Sequence, residues 1–294
     1  MKKAIIILIA VILVVGGFTI GTRNSLNVRA AEDLYNDAND KYTTDKSSAE
    51  GIEVVGFDEE EEELITSTLL TDEELNAARN QDEDPEESIT YSYRYIGPWE
   101  DQVDVDLKTL TADYPDVKGW LFFENEDISY PIVQSVNDDV YIRTSHTGKS
   151  TSAGSIFMEA LNSPDFSDSH TIIYGHNMRN RSMFGALRNY VNQPKYYDYH
   201  KYFQIITLDS EGHTVKSRYK VFAYGKTKSI SKIYTVCREH DSAFTDILQY
   251  IQGNSTVTTD VPVYETDSIV TLSTCQIGEN RLAVSAVKVD EVIQ

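Results

Sequence analysis

From about residue 103 onward, short runs of β-branched and aromatic residues recur between turn residues. They fall at 120–123, 128–133, 155–158, 171–174, 202–208, 219–224, 268–274 and 282–289. That content and spacing predict strands, and eight short strands at this density predict an all-β barrel or sandwich. Two segments break the pattern with helical spacing. Val103, Leu107, Leu110 and Tyr114 recur at intervals of four, three and four residues, which predicts a short helix ending at Pro115. Ala243, Phe244, Ile247, Leu248 and Ile251 line one face of a second helix that Asp241 or Ser242 can cap and Gly253 can end. No fixed-period repeat runs through the chain, which argues against a solenoid or propeller.

The first 95 residues follow a different rule. Lys2 and Lys3 precede an uncharged apolar run over residues 4–20. As a helix those residues rise about 25 Å, and Gly21 and Thr22 bring the run close to the roughly 30 Å of a bilayer core. The expectation is a signal anchor over 4–22, with residues 1–3 in the cytoplasm and the rest of the chain outside a cell membrane crossed once. A cleaved secretory signal is the competing reading, with Val28-Arg29-Ala30 as its cleavage site.

Charge then separates a second segment. The chain has 294 residues and a formal net charge of −21, and residues 32–87 hold 21 acidic against three basic side chains. Runs such as Asp58 followed by Glu59–Glu63 repel one another and bury no core, so 23–95 reads as an acidic extracellular tether, largely disordered. Thr71-Asp72-Glu73-Glu74 resembles a capping box ahead of one short helix. No Asp-x-Asp-x-Asp-Gly loop supports calcium binding there. The remaining 96–294 is close to charge balance and reads as the folded, catalytic domain. An acidic chain is a poor partner for nucleic acid.

With only two cysteines, a disulfide framework and a Cys-rich zinc site are excluded. Cys275 closes an apolar strand and opens on the polar Gln276, Gly278, Glu279 and Asn280, so it sits where a rigid scaffold can present a nucleophile. Cys237 has no such framing and reads as a small buried hydrophobe, although a Cys237–Cys275 disulfide is a further alternative. A thiol with the reference pKa near 8.5 is only about 3% thiolate at pH 7, so it needs an acid–base partner. Among six histidines, His176 directly follows a predicted strand within Tyr174-Gly175-His176-Asn177-Met178, where Gly175 would permit a sharp turn. Arg281 opens the last strand, where a guanidinium could face a developing oxyanion or simply lie on the surface.

Those residues also carry a resemblance. Thr271-Leu272-Ser273-Thr274-Cys275 followed by Arg281 is similar to the active-site signature of the sortases, and Tyr174–Met178 to their histidine loop. Val117–Trp120, Tyr130–Gln134, Ser152–Met158 and Ser182–Gly185 resemble the class B members in particular. The resemblance spans roughly Leu107 to Val289 in one consistent order. It implies a closed eight-stranded β-barrel with added N-terminal helices and one helix before the seventh strand. It also implies a cysteine transpeptidase of Gram-positive-type bacteria, with Cys275 as nucleophile, His176 as general acid/base and Arg281 positioning substrate and stabilising the oxyanion. The implied partners are secreted proteins with a C-terminal sorting motif and the amine of a peptidoglycan precursor. No metal or organic cofactor is implied.

Three rivals remain from the residues alone. A Cys–His peptidase or amidase would use the same thiol and release product to water. A non-catalytic binding barrel would bury Cys275. A redox protein would want the Cys-x-x-Cys pair that is missing here.

Overall fold

A computed structural model describes residues 29–45, 52–55, 92–95, 97–275 and 280–294. Eight strands close into a barrel. They are β1 (Val117–Phe123), β2 (Ser129–Val133), β3 (Ile156–Met158), β4 (His170–His176), β5 (Tyr202–Leu208), β6 (Thr214–Lys228), β7 (Ile269–Cys275) and β8 (Asn280–Ile293). Around the barrel the order is β6-β8-β7-β4-β3-β2-β1-β5, and β5 pairs back onto β6. All pairings are antiparallel except β2 with β3 and β4 with β7. Each expected strand is present, which agrees with the expected mostly-β, closed eight-stranded architecture.

Alternation along each strand sorts the core into layers. In β1, Leu121 and Phe123 join the cluster inside the barrel, where Phe203, Ile205, Leu272 and Val284 also meet. Trp120 and Phe122 point the other way, under Leu107 and Leu110 of helix α2 (Leu107–Asp113). Helix α3 (Ser242–Gly253) covers another outer face, with Phe244, Ile247, Leu248 and Ile251 against Phe222, Ile269 and Val287. Asp241 caps α3 by accepting from the backbone N–H of Ala243 and Phe244 at 2.9 and 3.1 Å. This helix precedes the seventh strand, as expected.

The helix expected from Val103 is shorter than its spacing suggested. Val103–Val105 is a strand paired antiparallel with Thr43–Asp45, and α2 starts only after Asp106, whose carboxylate caps the N–H of Thr109. The Val-Asp-Val alternation suits a pleated edge, and an Asp cap favours starting a helix there over continuing one.

The larger departure lies at the N-terminal side. Residues 29–42 form a helix, α1, within the stretch expected to be tether. Ala31, Tyr35, Ala38 and Tyr42 are buried along one face, at intervals of four, three and four. The Tyr35 hydroxyl donates to the Gly154 carbonyl, and its ring packs edge-on against Tyr130 at 5.3 Å between centroids. The Tyr42 hydroxyl and the Lys41 ammonium both meet Asp113 of α2. Within 23–95 a separate two-stranded sheet pairs Ile52–Val55 with Ser92–Tyr95. The Asp58–Glu63 run and the 71–74 capping box lie outside the described residues.

The expected single-pass membrane location, and the membrane as a partner, are corrected. Among the described residues no helix is long and apolar enough to cross a membrane. Residues 4–22, which carried that expectation, lie outside the described residues.

Candidate active site

The site is built on the parallel pair β4 and β7. Their register runs from Ile269 opposite His170 to Cys275 opposite His176, so the expected nucleophile and its expected acid/base partner end neighbouring strands side by side. Adjacent strands lie about 4.8 Å apart, so the two backbones meet at the spacing of one sheet step. Parallel strands run in the same direction, which brings both C-terminal ends to the same rim of the barrel.

His176 is half-buried, and its Nε2 lies 2.6 Å from the carbonyl oxygen of Ile142. A carbonyl can only accept, so Nε2 carries the proton in this arrangement and Nδ1 is the basic nitrogen of the neutral ring. The backbone carbonyl of His176 accepts from the N–H of Phe184 at 2.9 Å, which folds the following loop back beneath it.

Gly175 has a different role from the expected turn. It lies within β4, outside the positive-φ region, and a Cβ there would meet Ile156 Cδ1 at 2.5 Å and the Phe184 ring at 2.8 Å. The position needs glycine because the core approaches closely under His176. The loop that follows takes its positive φ at Arg181 and Met183.

Arg281 is the second residue of β8, register-paired with Thr227 of β6 and half-buried. Its guanidinium carbon lies 5.9 Å from the ring centre of Tyr174 and 5.7 Å from that of Tyr234. Both rings are held from behind. The Tyr174 hydroxyl donates to Glu159 at 2.9 Å, and the Tyr234 and Ser273 hydroxyls are 2.8 Å apart. Burial first, then the Glu159 carboxylate, push the Tyr174 phenol far above its ordinary range, so it stays a neutral donor. Arg281 thus stands over the ring two residues before His176. The buried Thr274 hydroxyl also accepts from the Leu282 N–H at 2.9 Å, tying the residue before Cys275 to the residue after Arg281.

Glu159 and Tyr234 were not visible as site residues in the sequence. Tyr234 comes from the connection before α3, and no local spacing links it to Arg281. Glu159 follows β3 directly, and only the pairing of β3 with β4 brings it to Tyr174.

Cys237 is buried and lies at the other end of β4, in a bridge with His170. Six residues of strand separate that end from His176, roughly 20 Å, whereas a disulfide needs Cα atoms within about 7 Å. A Cys237–Cys275 bond is therefore excluded, and Cys237 is free. Burial first, then Asp241 and Asp168, push its thiol up, which makes it a poorer nucleophile.

Comparison with known proteins agrees with this frame. No family model matches the chain. Sortase B of Listeria monocytogenes is 33% identical over 172 residues, covering 58% of this chain and 67% of the relative. The chain belongs to the class B sortases. Sortase B of Staphylococcus aureus is 28% identical over 188 residues, covering 64% and 75% of the two chains. Among solved structures, sortase B from Bacillus anthracis in complex with AAEK1 superposes with a TM-score of 0.56 at 32% identity, covering 63% of this chain and 84% of that one. A Staphylococcus aureus sortase B–substrate complex gives a TM-score of 0.56 at 26% identity, covering 62% and 85%. As a class B sortase the protein is a transpeptidase, which removes the redox protein and the non-catalytic barrel from the alternatives.

Proposed function

We propose that this sortase cleaves a C-terminal sorting motif of secreted proteins and joins the new carboxyl end to a cell-wall peptidoglycan amine, with Cys275, His176 and Arg281 carrying the chemistry. The observation that carries the assignment is the register match of Cys275 with His176 at the ends of two parallel strands. The Cys275 thiol gives its proton to Nδ1 of His176, the resulting thiolate attacks the scissile carbonyl, and the carbonyl electron pair moves onto oxygen. Arg281, backed by two tyrosine rings, meets that negative charge. Collapse expels the amine, which takes its proton from His176, and leaves a thioester on Cys275. An incoming amine then attacks the thioester carbonyl and passes its proton to His176, and Cys275 leaves as thiolate. Water in place of the amine would give hydrolysis, so the outcome depends on how well the amine is held.

The test is mass spectrometry of the protein incubated with a library of sorting peptides, read for a thioester on Cys275. The expected result is an adduct of the N-terminal peptide fragment on the wild-type chain, absent from Cys275→Ala and retained in Cys237→Ala. An adduct that persists in Cys275→Ala and disappears in Cys237→Ala would overturn the assignment.

A further inference from the structure

A carboxylate stands at the hydroxyl end of the tyrosine over which Arg281 lies. Glu159 follows β3, and its own backbone is fixed on both sides. Its N–H donates to the Ile172 carbonyl of β4 at 2.9 Å, and its carbonyl accepts from the Asn162 N–H and from the Gln134 side chain, each at 3.0 Å. Its Oε2 accepts the Tyr174 hydroxyl at 2.9 Å. The half-buried Asp138 hydrogen-bonds the same carboxylate and accepts the Ala160 N–H at 2.8 Å, which ties down the next residue as well.

Tyr174 is held as firmly. Phe157 is its cross-strand partner on β3, with ring centroids 5.3 Å apart, and the Tyr234 ring lies 6.1 Å away. Tyr174 is buried two residues before His176, on the same face of β4, and opposite Ser273, which stands two residues before Cys275. The Arg281 guanidinium carbon is 5.9 Å from the centre of its ring, within reach of a cation–π contact. An arginine side chain has many rotamers, and a charged donor speeds a reaction most when it is in place before the oxyanion forms. A ring fixed at its hydroxyl end gives the guanidinium one seat.

We infer that Glu159 is a positioning residue: by fixing the Tyr174 ring it holds the Arg281 guanidinium at the rim where Cys275 and His176 end their strands. The inference rests on the proposed role of Arg281. It goes beyond that role because it assigns the alignment of the guanidinium to a carboxylate after β3 that acts only through a phenol on β4.

The test uses the full chain and single-turnover acylation by a library peptide that acylates the wild type. Glu159→Ala and Tyr174→Phe each remove the bond between carboxylate and phenol, and each is expected to slow thioester formation about tenfold. Glu159→Gln keeps an oxygen that accepts the phenol proton and is expected to recover to within about threefold of wild type. In an Arg281→Ala background, Glu159→Ala is expected to change the rate by less than about twofold, because the group it positions is gone. Where Arg281→Ala is itself slow, a Glu159→Ala effect of equal size in both backgrounds, or a Glu159→Ala rate equal to wild type, overturns the inference. A second arm needs no peptide. The Arg281 Nε–H resonance is identified in ¹⁵N–¹H NMR spectra by its loss in Arg281→Ala, and ring currents make it sensitive to where the guanidinium lies over Tyr174 and Tyr234. It is expected to move in Glu159→Ala and in Tyr174→Phe and to return in Glu159→Gln, and an unmoved resonance overturns the inference. If Arg281→Ala forms the thioester at the wild-type rate while the resonance moves as expected, the proposed catalytic role of Arg281 fails and the positioning of its guanidinium by Glu159 stands.

Discussion

Replacing Gly175 by alanine tests whether close packing under the rim of the barrel sets the alignment of His176 with Cys275. The added Cβ would lie 2.5 Å from Ile156 Cδ1 and 2.8 Å from two atoms of the Phe184 ring, and both neighbours are fully buried. The Ile156 methyl is the far end of a flexible side chain and can rotate away. The Phe184 ring has less freedom, because it is fully buried in the barrel core and its backbone is tied to the His176 carbonyl. The strand end, the ring or both must move by several tenths of an ångström. Overpacking of this kind costs about 1–3 kcal/mol. For a folded unit of 150–250 residues each kcal/mol lowers Tm by about 2–4 °C. Activity should fall further than stability, since a shift of about 1 Å in a reacting group can cost about 10²-fold. The assay is peptide cleavage at a temperature well below the variant's Tm, with thermal unfolding in parallel. Gly253→Ala is the control, because a Cβ there meets nothing within 4 Å. If Gly175→Ala melted with the wild type and cleaved peptide within twofold of it, packing by Phe184 would not be what aligns the two strand ends.

Three further outcomes follow from the same structure. Arg281→Ala should slow thioester formation by about 10²-fold, the usual cost of one oxyanion donor, and Arg281→Lys should recover only part, since an ammonium lacks the planar two-pronged donor; single-turnover acylation rates read both. Burial holds His170 and His146 at about 4, below the ordinary 6.5, so the unfolded chain takes up protons that the fold refuses and stability declines as pH falls from about 6.5 towards 4. Asp138, half-buried and pushed up to about 6 by burial and by Glu159, works in the opposite sense and returns part of this. The net loss between pH 7 and pH 5 should be roughly 3 kcal/mol, and a urea midpoint that stays flat over that interval would refute the linkage. A chain begun at residue 97 loses the buried Tyr35 and Tyr42 of α1 and should be several kcal/mol less stable, at about 1.5–3 kcal/mol per large buried side chain; equal urea midpoints for the two chains would show that α1 adds nothing to the core.

The barrel was legible because its strands announce themselves locally. Runs such as Tyr202–Leu208 are β-branched and aromatic, turn residues bound them, and pairing only lengthens them at the ends. Helix α3 was legible for the same reason, with a cap, a stripe and a terminal glycine all within thirteen residues. Helix α1 was hidden by its own charge. Ala31, Tyr35, Ala38 and Tyr42 form a correct stripe, but alanine and tyrosine are weak signals beside the carboxylates that share the segment. The strand at Val103 needed a partner about sixty residues earlier in the chain, which no local pattern reveals. Cys275, His176 and Arg281 could be proposed from strand ends and motif resemblance. The support around them could not, because Tyr234, Glu159 and Phe184 reach the site only through pairing and loop folding. Gly175 was singled out correctly and explained wrongly, since the demand on it comes from Phe184, a neighbour in space.

On the proposed roles of Cys275 and His176, the register of β4 with β7 also governs when the enzyme becomes reactive. His176 is synthesised 99 residues before Cys275, and neither β7 nor β8, the strand that closes the barrel against β6, is available until the others have been made. A growing chain therefore holds a complete histidine loop before the strand that pairs with it exists. The pairing is long-range in sequence, and such contacts form late because their loop-closure entropy must be met before they stabilise anything. Barrel closure and assembly of the Cys–His pair are thus one event. If Cys275 is the nucleophile as proposed, an incompletely folded molecule carries an ordinary, weakly nucleophilic cysteine, and the topology that brings the two strand ends together keeps unfinished chains from acylating themselves on the wrong peptides.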